Sequence, residues 1–121
     1  MDRSQEEKKL RWEMFNQAWS EPDSERRMEL LVDALNAHCT YSDQHASATG
    51  LETISNYMEG FQKSVPGAKF ETLWFTTAGF QCLAEWKLVG ADGAVLKTGH
   101  GYGRYVNAHR LLIITYFLDT R

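Results

Sequence analysis

The hydrophobic period of this chain changes once, near Pro66-Gly67. Before that point, apolar residues recur every three or four positions, the spacing of one face of a helix. After it they alternate, the spacing of one face of a strand. Such an order predicts helices first and a sheet afterwards, an α+β arrangement with the sheet packed against the helices.

Trp12, Phe15 and Trp19, joined by Met14 and Ala18, predict a first helix over about residues 4–20. Glu21-Pro22 ends it, because proline disfavours the helical region for the residue before it. Asp23 or Ser24 caps a second helix with an apolar stripe of Met28, Leu31 and Leu35. Residues 38–43 leave the helical pattern and read as a short extended segment. Leu51, Ile54, Met58 and Phe61 predict a third helix, closed before Pro66-Gly67.

Phe70, Thr72, Trp74 and Thr76 then alternate along one strand, and Cys82, Ala84, Trp86 and Leu88 along the next. Gly90-Ala91-Asp92-Gly93 turns the chain into a strand over about residues 94–106. Asn107-Ala108 turns it into a last strand running from Leu111 to Leu118. The connections are too short for βαβ units, so the late strands are expected to form an antiparallel meander.

A length of 121 residues suits one domain over 1–121, with about two-thirds of the extended chain's surface buried on folding. Residues 1–60 hold six Lys/Arg and twelve Asp/Glu, residues 61–121 seven and four. That shift follows the change from wet helix faces to strands, and no Pro/Gly/Ser-rich linker divides the chain. A net charge of −3 argues against a nucleic-acid partner that would track phosphates. The N-terminus is polar and no apolar run approaches the roughly 20 residues of a membrane span, which predicts a soluble cytoplasmic protein without a membrane partner. Cys39 and Cys82 are too few for a disulfide scaffold; one bridge is open to them, but two buried reduced thiols fit better.

Two short patterns carry candidate chemistry. Asp43 and His45 share one face if their segment stays extended, where Asp43 can take a proton or orient the imidazole. The alternative is a polar loop, with Asp43 bonded to backbone and His45 in water. In Gly99-His100-Gly101-Tyr102-Gly103 the glycines share one strand face, and His100 and Tyr102 the other. The missing side chains either open ligand space or allow close helix packing. Trp12, Phe15, Trp19, Trp74, Trp86 and Phe117 can line a flat apolar cavity or fill a core, and Tyr41 and Tyr57 can add hydroxyl donors. The spacing of Asp43, His45, His100 and His109 forms no compact metal site.

Asn16-Gln17-Ala18-Trp19, Asp23, Arg27, Tyr41-Ser42-Asp43, Gly50, Phe61-Gln62 and Pro66-Gly67 stand in an order that resembles the SnoaL-like polyketide cyclase family of the nuclear transport factor 2-like superfamily. The Trp86 strand, Asp92-Gly93, Gly99 and Thr115-Tyr116-Phe117 extend the resemblance over about residues 10–118. It implies a cone-shaped α+β barrel of the cystatin-like kind, with N-terminal helices packed in a strongly curved antiparallel sheet around an internal pocket. It also implies a homodimer and a small apolar or aromatic ligand.

The superfamily holds isomerases, cyclases and dehydratases beside non-catalytic binding domains, so the fold does not choose an activity. The resemblance puts Asp43 at the position of the ketosteroid isomerase base. Phe15 stands where that enzyme has its Tyr oxyanion donor, and Gly101 where it has its protonated Asp. Gly101 also falls where SnoaL-like cyclases often carry an Asp or His, with His100 one residue away. The reading is therefore a pocket for an apolar or aromatic metabolite, lined in part by Gly101. Asp43, assisted by His45, His100 or Tyr102, would transfer protons in isomerisation, cyclisation or dehydration, a scheme that needs no cofactor. The alternatives are a binding module without catalysis and a homodimerisation domain.

Overall fold

A computed structural model describes residues 3–119. Helix α1 spans Arg3–Ala18 and α2 Ser24–Ala34. Strands β1 (Leu35–Ser42) and β2 (Ser47–Thr49) precede helix α3 (Leu51–Ser64). Strands β3 (Lys69–Ala78), β4 (Gln81–Val89), β5 (Val95–Val106) and β6 (Arg110–Leu118) complete one sheet, in the order β2-β1-β6-β5-β4-β3. Among the described residues no helix is long and apolar enough to cross a membrane.

The helix starts and stops follow from local chemistry. Asp23 caps α2 by accepting the Glu25 N–H at 3.0 Å. The Arg27 side chain, almost fully buried, donates to Ser55 Oγ at 2.9 Å and to the Glu21 carbonyl at 2.8 Å, joining α2 to α3 and to the end of α1. Gln62 on α3 donates to the Trp19 and Glu21 carbonyls, which α1 leaves unpaired as it ends.

Two sequence expectations are corrected, and a third gains detail. Leu35 is not part of the α2 stripe but the first residue of β1, with extended dihedrals of φ −118° and ψ 149°. The sheet is mixed rather than antiparallel, because β1 runs parallel to β6, with Tyr41 opposite Ile114. The turn at Asn107-Ala108 is one 3₁₀ turn over Asn107–His109. The late meander of β3 to β6 is antiparallel throughout, as its short connections require.

The core joins the inner faces of α1, α2 and α3 to the sheet. Trp12, Phe15, Leu31, Ile54, Met58, Leu111 and Ile114 have no exposed surface. Cys39 and Cys82 lie there as free thiols, and desolvation pushes both up to about 12. An unfolded thiol, near 9.0, loses its proton first, so the stability these two groups contribute is complete below about pH 9 and lost between there and about 12. We predict a falling urea midpoint above pH 9. At pH 8, a thiol reagent should leave native protein unlabelled and label both cysteines once urea unfolds it; rapid native labelling would contradict this burial.

Candidate functional site

The glycine track of β5 serves the tryptophans. Gly99 pairs with Trp86 across β4, and a Cβ built on it would stand 2.5 Å from that indole. A Cβ on Gly101 would meet Trp12 at 2.7 Å, and one on Gly103 would meet Cys82 Sγ and Leu111 at 2.8 Å. All three distances lie far inside van der Waals contact, so the space of the missing side chains is filled by packed neighbours and is not ligand space. Trp12 and Phe15 are fully buried core residues, and Gly101 lies beneath Trp12; none of the three lines the cavity beside the core.

Beside this packed core a cavity of about 670 Å³ opens between α3, the end of α1 and the inner face of the sheet. Its walls are aromatic. Trp86 and Tyr116 stack with centroids 5.4 Å apart, and Phe61 stacks on Phe70 at 5.7 Å. Trp19 closes the inner end, edge-on to Phe61, Phe70 and Tyr57. Leu88, Leu96 and Leu118 add aliphatic surface, and the exposed Lys97 and Asn56 belong to the rim.

One end of this cavity is polar. There Asp43 follows β1 and accepts four donors. The Tyr41 hydroxyl donates to Oδ2 at 2.8 Å, and the Tyr57 hydroxyl reaches Oδ2 at 2.9 Å and Oδ1 at 3.2 Å. The backbone N–H groups of His45 and Ala46 donate to Oδ1 at 2.8 and 3.0 Å. This is an Asx-type turn that also clamps two phenols. Burial first, then the Asp43 hydrogen bond and charge, push the Tyr57 phenol up to about 12; burial and Asp43 raise Tyr41 further. His45 lines the cavity from an exposed position, bound to Asp43 through its backbone.

Sequence reasoning missed Tyr116 as a wall residue. Its hydroxyl donates to Asn16 Oδ1, Asn16 Nδ2 donates to Thr72 Oγ1 at 3.2 Å, and Thr72 donates to Glu13 at 2.6 Å. Complete burial holds the Tyr116 phenol protonated well above its ordinary range. The available signal was Asn16 itself, an amide on the apolar face of a helix, which must find a partner when buried.

The remaining candidates face the other way. His100 is exposed on the outer surface of β5, with Nε2 3.8 Å from Glu85 and Nδ1 3.5 Å from Asp119. Tyr102 donates to Gln81 at 2.6 Å on the same surface. Phe117 alternates outward from the buried Tyr116 and is 52% exposed. Trp74 does not share the inner face with Trp86. Thr72 pairs with Trp86 and Trp74 with Glu85, so Leu73 is an extra residue whose bulge reverses the strand's facing. Trp74 is 48% exposed as a result. Among the described residues, no three His, Cys, Asp or Glu side chains converge as a metal-ligand set.

No protein-family model matches the sequence, and no curated protein sequence does. Solved structures match it closely in shape. A candidate isomerase of the SnoaL-like family from Agrobacterium tumefaciens superposes with a TM-score of 0.87 at 23% identity, covering 94% of this chain and 98% of that one. A candidate SnoaL-like polyketide cyclase from Jannaschia sp. CCS1 gives 0.79 at 11% identity, covering 98% and 90%. An NTF2-like protein of unknown function from Mesorhizobium loti gives 0.71 at 16% identity, covering 98% and 96%. The chain therefore has the same α+β fold as these SnoaL-like and NTF2-like proteins.

Proposed function

We propose that the protein binds a small, flat, apolar or aromatic molecule in the cavity between α3 and the sheet, with the sheet bent round the helices as the cone its resemblance implies. The observation that carries this reading is the aromatic wall of Trp19, Phe61, Phe70, Trp86 and Tyr116 ending at the Asp43 cluster. A cavity of about 670 Å³ is within the usual size range of small-molecule sites, which are mostly apolar with a few placed polar groups. Titration with 2-naphthol, followed by the fluorescence of Trp19 and Trp86, tests it. Saturable quenching that disappears in Phe70→Asp is the expected result, and no binding up to the solubility limit overturns the reading.

Catalysis by proton transfer is the second reading, favoured by a carboxylate at the cavity's polar end. It asks Asp43 to release one of its four donors so that a lone pair can meet a substrate C–H. Neither Gly101 nor Phe15 supplies an oxyanion donor, so that role would fall to other groups. Turnover of a candidate substrate should fall at least about 100-fold in Asp43→Asn. Equal turnover would remove Asp43 from the chemistry.

The outer strip of Trp74, Leu83 and Phe117 is the surface we assign to a second copy of the chain, since it is exposed and apolar, with Glu85 at one end and Arg104 two rows away at the other. Sedimentation should give a dimer at micromolar concentration and a monomer for Trp74→Lys/Phe117→Lys. A wild-type monomer throughout sinks this assignment.

A further inference from the structure

The polar end of the cavity is built almost wholly from hydrogen-bond acceptors. A phenol has one O–H, and Tyr41 and Tyr57 both spend theirs on Asp43. Tyr116 spends its own on Asn16. The N–H groups of His45 and Ala46 are likewise taken by Asp43, and the indole N–H groups of Trp19 and Trp86, though without a partner, have almost no exposed surface to offer a ligand. Four donors already fill Asp43, so what the end offers a ligand is phenol lone pairs, chiefly those of the half-buried Tyr57, beside the carboxylate's charge. None of the ion pairs among the described residues involves Asp43. The donors near the cavity are rim groups, Lys97, Asn56 and the His45 ring, all exposed.

We infer that the ligand is an aromatic or polycyclic compound that ends in a hydrogen-bond donor, a hydroxyl or an amine, and that this donor docks against the Tyr57 oxygen, next to the Asp43 carboxylate. The inference rests on the cavity being the binding site and adds the polarity of what enters it. A ligand carbonyl or carboxylate pointed at this end would face lone pairs with no hydrogen to share. Its desolvation would go uncompensated, and sites that match hydrogen-bond polarity discriminate strongly on that ground. The two donor types differ in charge: an ammonium also gains from the unpaired Asp43 and from the surrounding ring faces.

The test is a matched probe series on the full chain, read by tryptophan quenching and calorimetry: naphthalene, 2-naphthol, 2-methoxynaphthalene, 2-acetylnaphthalene and 2-(aminomethyl)naphthalene. The expected result is that 2-naphthol or the ammonium probe binds about tenfold more tightly than 2-methoxynaphthalene. The ketone should be no better than naphthalene. Which of the two donors is tighter assigns the natural group as hydroxyl or amine. Asp43→Asn replaces an acceptor oxygen by an NH₂ facing the phenols, which must then turn their protons into the cavity, so preference should reverse toward the ketone. Should that variant fail to fold, Tyr57→Phe removes one acceptor and should weaken 2-naphthol severalfold more than it weakens naphthalene; equal weakening of both overturns the inference. Binding of every probe with the ketone strongest overturns this inference and leaves the cavity reading standing; binding of none overturns both.

Discussion

Replacing Gly101 by valine is expected to lower the melting temperature by roughly 10 °C, corresponding to about 3 kcal/mol. The new Cβ would lie 2.7 Å from Cζ2 of Trp12 and 3.1 Å from Tyr116, both almost fully buried and hemmed in by other rings. Trp12 touches Phe15, Phe75 and Tyr116 with centroids 5.7–6.4 Å apart, so it has no free direction in which to retreat. The clashing atoms belong to the six-membered ring of the indole. Trp12→Phe removes that ring's excess, and Gly101→Ala should cost less in that background than in wild type. Thermal unfolding of the four proteins in the cycle measures the coupling. Additive costs would mean that the glycine is there for strand geometry and not for the ring.

Asp43→Ala is the second large effect, with an expected loss of about 2–4 kcal/mol together with loss of ligand binding. The substitution leaves the His45 and Ala46 amides and the Tyr41 and Tyr57 hydroxyls without their common acceptor. Tyr41 is only 2% exposed, so water reaches its hydroxyl poorly. Tyr41→Phe and Tyr57→Phe each remove one donor and should cost about 1 kcal/mol, clearly less than removal of the carboxylate. Urea unfolding reports the order, and it is the order that decides. If the carboxylate variant were as stable as either phenylalanine variant, Asp43 would not be the hub of this turn.

Much of the fold was legible because the periods were long and clean. Trp12 and Phe15 give the inner face of α1, with Trp19 just past its end, and Cys82, Ala84, Trp86 and Leu88 give that of β4, all of them buried. The parallel pairing of β1 with β6 was not legible, because no local pattern tells one edge of a meander which distant strand will join it. Among the candidate site residues, Trp19, Tyr41, Asp43, His45, Tyr57 and Trp86 meet around one cavity. His100 and Tyr102 point out because β5 keeps strict alternation through its glycines, and the side chain opposite each glycine is the outer one. Trp74 was misplaced by a bulge at Leu73, one added residue that turns every later side chain of β3 over. A phenol is both donor and acceptor on paper. Only the coordinates of Asp43 fix which half of that capacity Tyr41 and Tyr57 have left.

The lateral support of β1 by β6 bears on when the site is born. Tyr41 and Ser42 pair with Ile114 and Thr115, and the Gln44 side chain brackets Leu118, accepting from its N–H at 3.0 Å and donating to its C=O at 3.1 Å across 74 residues of sequence. Contacts between such distant segments close late, since the loop entropy falls due before any bond forms. During synthesis, the Asp43 turn therefore has nothing to lean on until the last strand has left the ribosome. A nascent chain stopped before residue 110 would carry all three helices and most of the meander, yet no finished chamber.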